Sequence, residues 1–165
     1  MWSWIAMMFV LGRAGQAPAP RMHILDGPAH RTVVQAVQGA QRRLARPECQ
    51  RLFTDFQDEE GRPLADNLRT STFTAPDYLA RQILFVEDDA APQCRRDEVV
   101  TAFTAPGYQV VHVCTARFAG RFERDPVVAE LIVIHEMLHT LGLGENPPSS
   151  AAITGQVKKR CGGVD

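Results

Sequence analysis

The sequence lacks any apolar run of the roughly 20 residues that a membrane-spanning helix requires. It also lacks an excess of either charge, since Lys and Arg number 18, Asp and Glu number 19, and the formal net charge is -1. Neither nucleic acid nor an anionic membrane surface is therefore expected as a partner. The 165 residues, 45% of them hydrophobic, predict one monomeric globular domain that buries a core of its own.

Cysteine is scarce and never occurs as a CxxC pair. The four cysteines are Cys49, Cys94, Cys114 and Cys161. Their wide spacing is unlike that of zinc ribbons or thioredoxin-like redox motifs. An even count is compatible with two disulfide bonds in any of three connectivities, and we predict two disulfides. Buried free thiols are the alternative for Cys114 and Cys161.

The N-terminal segment has the pattern of a secretion signal. Residues 1–11 (MWSWIAMMFVL) have the length of a signal-peptide apolar region, and residues 12–20 (GRAGQAPAP) supply the small residues found near cleavage sites. The basic residues that usually precede the apolar region are missing, so an apolar helix packed on the domain is the alternative. We predict a signal peptide over residues 1–20, a domain over residues 21–165, and a secreted or periplasmic location.

An amphipathic helix is predicted after the turn residues Asp26, Gly27 and Pro28. Its apolar residues recur at steps of three and four: Val33, Val37, Ala40 and Leu44. Its basic end suits the helix macrodipole through Arg42, Arg43 and Arg46. Acidic residues follow at once, which disfavours a nucleic-acid patch: Asp55, Asp58, Glu59 and Glu60.

The middle of the chain predicts a small sheet. Residues 47–56 form a short helix with three inward side chains, namely Leu52, Phe53 and Phe56. Residues 61–77 are a loop, residues 83–86 (ILFV) a buried strand, and residues 89–109 carry no clear pattern. Residues 109–114 (QVVHVC) form a second strand, with Val110, His112 and Cys114 on one face and Gln109, Val111 and Val113 on the other.

The clearest helix covers residues 127–141. Asp125 and Pro126 supply a capping residue and a proline at the first helical position, and Gly142 suits the left-handed position that ends a helix. The helix is apolar nearly all round, which predicts that it is buried in the core. Asn146-Pro147-Pro148 then forms a rigid break. Ser149 or Ser150 caps a last helix that runs to about Cys161.

The buried helix carries an HExxH motif, His135-Glu136-Met137-Leu138-His139. Residues four apart on a helix lie one above the other, so both imidazoles can reach one metal ion. The glutamate can then polarise a metal-bound water. Ionisable side chains in a core need partners, because burying them unpaired is costly. A pair of core histidines hydrogen-bonded to Glu136 and to backbone is the alternative.

This motif resembles the active-site helix of the zincin metallopeptidases. HEMLHTLGLGE fits HExxHxxGxxE, with Gly142 and Glu145 at the third and sixth positions after His139, and is similar to metzincin-type motifs. The third ligand there is usually histidine, and no methionine follows Met137 to form the methionine turn. Small exported bacterial zincin-like proteins contain a similar stretch. The resemblance covers residues 127–146 and implies a compact α+β domain with a small sheet, a buried active-site helix and a C-terminal helix.

The resemblance also implies a catalytic Zn²⁺ ion. Its ligands would be His135, His139 and Glu145, with Asn146 and His112 as alternatives for the third. Glu136 would act as the general base that takes a proton from a zinc-activated water. Candidate donors to the oxyanion are Tyr78, Tyr108 and His112. By analogy with the family, the strand at residues 109–114 is expected to be a sheet edge that pairs with an extended peptide.

The predicted function is that of a secreted zinc metallopeptidase acting on a peptide or protein substrate. Two alternatives use the same residues: a non-catalytic zinc-stabilised binding domain, and a zinc amidase acting on non-protein amide bonds. A structural zinc site usually has four protein ligands and has no need of an adjacent acid, which favours the enzyme.

Overall fold

The computed structural model describes residues 17–24 and 27–163, which form the predicted α+β fold. Residues 1–16 of the predicted signal peptide and Asp26 of the predicted turn lie outside the described residues. The strands are β1 (Arg21–His23), β2 (Leu84–Glu87), β3 (Ala102–Phe103) and β4 (Val110–Val113). The helices are α1 (Pro28–Leu44), α2 (Pro47–Gln50), α3 (Leu52–Asp55), α4 (Leu64–Thr70), α5 (Ala75–Arg81), α6 (Pro92–Arg96), α7 (Thr115–Arg124), α8 (Pro126–Thr140) and α9 (Ser150–Cys161). None of the described helices is both long enough and apolar enough to cross a membrane.

The described strands form one mixed sheet in the order β1-β2-β4-β3. β1 is parallel to β2, β2 is parallel to β4, and β3 is antiparallel to β4. β2 and β4 confirm the two predicted strands, and Val111 and Val113 face the core. The expectation that residues 109–114 form a sheet edge is wrong, because β4 is paired on both sides. The edge beyond it is β3, in the segment for which the sequence has no clear pattern.

Two helices predicted from the sequence, α1 and α8, pack against each other in the core. The apolar stripe of α1 is buried as predicted. Asp125 caps α8 by accepting a hydrogen bond from the Val128 N–H. A buried ion pair joins the two helices, with Arg43 Nε 2.5 Å from Glu130 Oε2. Gly39 leaves the space that the Glu130 carboxylate fills.

Gly39→Ala is expected to lower the free energy of unfolding by about 2 kcal/mol, since a Cβ at residue 39 would overlap the Glu130 carboxylate and displace it from Arg43. The matched control is Gly155→Ala on α9, where a Cβ meets no atom within 4 Å. Helix propensity there predicts a gain of up to about 1 kcal/mol. Urea unfolding measures both, and a Gly39→Ala protein as stable as wild type would contradict this packing.

The prediction of a loop over residues 61–77 is wrong, because α4 and the start of α5 lie in it. Its turn-forming residues are helix caps: Pro63 precedes α4, and the Thr74 hydroxyl accepts from the Asp77 N–H at the start of α5. Leu64 and Tyr78 then bury apolar surface. Residues 47–56 form two short helices in place of the single predicted helix, and α7 lies in a segment for which no element was predicted.

Two disulfide bonds confirm the prediction from the cysteine count. Cys49 pairs with Cys161, joining α2 to the end of α9 across 112 residues. Cys94 pairs with Cys114, joining α6 to the end of β4. The C-terminal helix itself is as predicted, since the Ser149 hydroxyl accepts from the Ala152 N–H at its start.

Candidate metal centre

The two histidines of the HExxH motif face each other on α8. Their Nε2 atoms lie 3.0 Å apart, as the spacing of one helical turn allows. His135 is 8% exposed and His139 5% exposed. The helix therefore presents two nearly buried nitrogen atoms to one point.

The turn after α8 folds the chain back toward these nitrogens. Gly142 adopts a φ of 103°, in the left-handed region that glycine tolerates. The Gly142 N–H donates to His139 O (2.8 Å) and the Leu143 N–H to Leu138 O (3.2 Å). Leu143 is 1% exposed, so its side chain anchors the turn in the core. The next residues consequently run back past His139.

Glu145 brings the third potential ligand to the two histidines. Its Oε1 lies 3.4 Å from His139 Nε2 and 3.8 Å from His135 Nε2. One ligand atom from each residue falls within 4.8 Å of the others, so this group can hold a metal ion. The carboxylate is half-exposed, which leaves the site accessible from solvent.

The alternative third ligands are His112 and Asn146. His112 Nδ1 is 2.9 Å from Asp88 Oδ2, and its ring stacks on Phe103 with centroids 4.9 Å apart. Neither His112 nor Asn146 is among the described residues that line the cleft beside the motif, whereas Glu145 is. The arrangement therefore favours Glu145 as the third ligand.

Hydrogen bonds to the far side of each imidazole decide which nitrogen is available to a metal. His139 Nδ1 lies 2.7 Å from Leu143 O. A carbonyl only accepts, so this Nδ1 carries a proton, and Nε2 is the His139 nitrogen that can bind a metal. His135 Nδ1 lies 3.1 Å from the Thr154 hydroxyl on α9. The donor set of two imidazole nitrogens and one carboxylate oxygen fits a metal ion, and the hydrogen bonds behind the two imidazoles hold the rings in place.

Glu136 is nearly buried beside the histidines, at 7% exposure. Burial, together with the negative charge of Glu145, raises the pKa of Glu136 to about 8. Burial, together with the neighbouring His139, lowers the pKa of His135 to about 4. Without a metal, the charged forms of both groups are therefore disfavoured.

These two shifts predict opposite effects of pH on stability in the metal-free protein. A lowered histidine pKa gives stability that is present above pH 6.5 and lost as the pH falls towards 4. A raised glutamate pKa gives stability that is present below pH 4.5 and lost as the pH rises towards 8. Between pH 4.5 and 6.5 the two contributions cancel, so the wild-type stability is expected to vary little.

Glu136→Gln removes one of these contributions. As the pH rises from 4.5 to 6.5, the unfolding free energy of the metal-free variant is expected to increase by about 2 kcal/mol, because only the His135 contribution remains. Urea unfolding of chelator-treated wild type and variant at several pH values in this window measures the difference. If the unfolding free energy of the variant did not change with pH, or that of wild type changed equally steeply, the shifted pKa values of His135 and Glu136 would be contradicted.

The cleft beside the motif has a volume of about 490 Å³. Its described lining includes Ala102 and Phe103 of β3, Thr104 after it, and four residues of the motif and the following turn, namely His135, Glu136, His139 and Glu145. The three predicted oxyanion donors are not among its described lining residues. The Tyr78 hydroxyl is instead 3.3 Å from Thr140 O, and Tyr108 is 69% exposed.

The side chains that hold the end of α8 were not predicted from the sequence. The Asn67 amide donates to Leu141 O (2.8 Å) and to Asp58 Oδ2 (2.9 Å). The Asn67 amide, joined by the N–H groups of Arg62 and Glu60, holds the pKa of Asp58 well below its usual range. Asn67 lies 74 residues before Leu141, so no local pattern indicated this contact. Thr154 was missed for the same reason.

Comparison of this chain with models of protein families, with curated proteins and with solved structures finds no match. The resemblance of the HExxHxxGxxE segment to zincins therefore stays a prediction from that segment. What supports a function is the geometry of the site and the chemistry of its residues.

Proposed function

We propose that this protein is a secreted zinc-dependent peptidase. The observation that supports the proposal is the convergence of His135 Nε2, His139 Nε2 and Glu145 Oε1 beside a buried glutamate. Two imidazoles and a carboxylate are a ligand set of catalytic zinc sites, in which three protein ligands leave one position open. The zincin resemblance of the same residues points to the same chemistry.

The proposed ligands are His135, His139 and Glu145. Zinc bound there would act as a Lewis acid on a water and on a substrate carbonyl. The Leu143 carbonyl and the Thr154 hydroxyl orient the two imidazoles from behind. The half-exposed Glu145 closes the ligand set from the cleft side.

Glu136 is the proposed general base. It accepts a proton from the attacking water and passes it to the leaving amine. Its burial in the wall of the cleft keeps competing solvent away. Burial raises the pKa of Glu136, and the positive charge of a zinc ion bound nearby would favour the ionised carboxylate. A non-catalytic zinc domain would have no use for this carboxylate, which is why the enzyme is the preferred proposal.

The proposed substrate is an extended peptide that lies along β3. β3 is an edge strand on the cleft side of the sheet, and an edge strand offers unpaired N–H and C=O groups to a peptide backbone. In this proposal the peptide pairs with β3, and not with the strand at residues 109–114 as expected from the sequence. A zinc amidase acting on non-protein amides would use the same ligands without needing this strand.

The proposed location is secreted or periplasmic. Two disulfide bonds are typical of proteins that fold in an oxidising compartment. The apolar segment at residues 1–11 is consistent with export.

Metal analysis of the purified, oxidised protein followed by a peptide-library assay tests the proposal. We expect one zinc ion per chain, and peptide cleavage that stops with a chelator and returns with added zinc. A protein that binds no metal even after zinc is added would refute the zinc site. Bound zinc with cleavage of cell-wall amides and not of peptides would favour the amidase, and bound zinc without either activity would favour the binding domain.

A further inference from the structure

One wall of the cleft comes from residues 92–104, which include α6, β3 and the segment between them. Gln93, Asp97 and Val100 line the cleft in addition to the two residues of β3. The proposed metal ligands lie instead on α8 and on the turn that follows it. The wall that would contact a peptide is therefore a separate piece of chain from the helix and turn that would hold the metal.

The first part of this wall, residues 92–99, has little apolar surface with which to pack against the core. Cys94 is its one buried residue, all the others in this range are exposed, and Val99 is 77% exposed. Such a segment gains almost nothing from the hydrophobic effect to offset the entropy that it loses on ordering. Its place in the structure therefore depends on specific bonds.

The Cys94–Cys114 disulfide is the central one of these bonds. With Ala91 the two cysteines form a small apolar cluster apart from the main core, and two residues of the cleft lining, Val100 and Phe103, pack against it. Cys114 directly follows β4, which is paired with β2 inside the sheet, so it is a fixed point of attachment. The disulfide consequently holds both α6 and apolar side chains that line the cleft.

The remaining attachments of the wall are weaker. β3 pairs with β4 over two residues, where Phe103 also stacks on His112. The Arg117 guanidinium on α7 donates to Asp97 O, at an exposed position. So short a strand pairing is marginally stable without further support, and a single exposed hydrogen bond contributes little. These contacts alone are not expected to keep residues 92–104 ordered.

We propose that the Cys94–Cys114 disulfide is a redox-sensitive clamp on the peptide-binding wall, which completes the cleft only in an oxidising compartment. With the two thiols reduced, residues 92–104 lose their covalent attachment and become disordered. α8 and the turn after it stay folded, because they belong to the main core. The protein would thus acquire its peptide-binding site only after export. The inference rests on the proposed function, since it concerns the cleft in which a peptide would bind.

Closing the clamp is a thiol–disulfide exchange with a disulfide oxidant. The thiolate of one cysteine attacks a sulfur of the oxidant, forms a mixed disulfide and releases one thiol. The thiolate of the other cysteine then attacks its partner's sulfur and releases the second thiol. The S–S bond of the oxidant is broken and that between Cys94 and Cys114 is formed. Two electrons and two protons pass from the cysteines to the oxidant, which ends as two thiols.

The other disulfide, Cys49–Cys161, is placed differently. Both of its cysteines are 0% exposed and belong to the main core, so its reduction would leave two thiols packed against each other. Opening the Cys94–Cys114 bond exposes only the small cluster beside the cleft. Local opening of this kind needs less free energy than opening of the core, so the clamp should be reduced first.

Kinetics and hydrogen exchange of the double variant Cys94→Ser/Cys114→Ser test the clamp. We expect KM for a peptide to rise by about 10-fold or more at unchanged kcat, as when at most about a tenth of the molecules have an ordered wall. Zinc content should equal that of wild type. Amide hydrogen exchange should become faster in residues 92–104 and stay unchanged in α8.

The matched control is Cys49→Ser/Cys161→Ser, which also removes one disulfide. This disulfide closes the longer loop, across 112 residues against 20, so its loss should lower the unfolding temperature at least as much. The control should nevertheless keep the wild-type KM and the wild-type exchange of residues 92–104. A change in KM would then report on the wall and not on global stability.

A second measurement uses the wild-type protein in glutathione buffers of graded redox ratio, with thiol alkylation and mass spectrometry. Cys94 and Cys114 should be alkylated at a more oxidising ratio than Cys49 and Cys161. Exchange of residues 92–104 should become faster at the same ratio. Because thiols themselves bind zinc, activity is not measured in these buffers.

Wild-type KM and wild-type exchange in the Cys94→Ser/Cys114→Ser protein would overturn the inference. So would reduction of both disulfides at one redox ratio with loss of the whole fold. If the variant does not fold, alkylation and exchange of the wild-type protein decide the question. If the wild type cleaves no peptide, the proposed function fails, whereas exchange and alkylation still show whether the clamp orders this wall.

Discussion

Glu136→Gln is expected to reduce kcat/KM for peptide cleavage by about 10²- to 10⁴-fold, which is the usual contribution of a general base. Glutamine keeps the shape of glutamate and cannot take a proton. Because Glu136 lies beside the proposed ligands and is not one of them, the variant should retain the zinc content of wild type. Cleavage kinetics and metal analysis of the same preparation measure both effects.

The matched control for this variant is Glu123→Gln, because Glu123 is exposed on α7 away from the cleft. It should cleave peptide at the wild-type rate. A Glu136→Gln protein with full activity would refute the assigned role of the carboxylate. Loss of zinc together with activity would place Glu136 among the groups that hold the metal.

Glu145→Ala is expected to weaken zinc binding by at least about 100-fold, since loss of a ligand should cost more than the roughly 10- to 100-fold that is typical of losing a hydrogen bond to a ligand. The carboxylate Oε1 faces both Nε2 atoms, and alanine leaves only the two imidazoles. Zinc titration measures the affinity. The rise in unfolding temperature produced by excess zinc should also become smaller.

Asn146→Gly and His112→Ala are the controls that separate the candidate ligands, with glycine at residue 146 because Asn146 has a φ of 65°, in the left-handed region that glycine tolerates. Both residues are outside the described lining of the cleft, so both variants should bind zinc as tightly as wild type. If Glu145→Ala retained full affinity and one of these variants lost it, the third ligand would be the residue changed in that variant.

Those parts of the structure that depend on neighbouring residues could be predicted from the sequence. The start of α8 follows from Asp125 and Pro126, and its end from Gly142, because helix caps are formed within a few residues. The apolar period of α1 likewise predicts which face is buried. The approach of His135 to His139 follows from helical geometry, and the glycine turn places Glu145 near them.

Local patterns were misleading where capping residues resemble loop residues. Residues 61–77 contain the residue types of turns, yet Pro63 and Thr74 begin helices whose apolar side chains pack in the core. The sequence also predicts that residues 109–114 form a strand without indicating its neighbours. Pairing depends on where β3 lies, and β3 is only two residues long.

Contacts between distant segments were decided by the tertiary structure alone. The cysteine count allowed three pairings, and packing α9 against α2 selects Cys49–Cys161. The hydroxyl behind His135 comes from Thr154, 19 residues later on another helix. By itself, the sequence determined the helix that carries the motif and the turn that brings back Glu145, because both arise within a few residues of chain. The hydrogen-bond partners of the site depend on which helices pack together, and that is a property of the whole core.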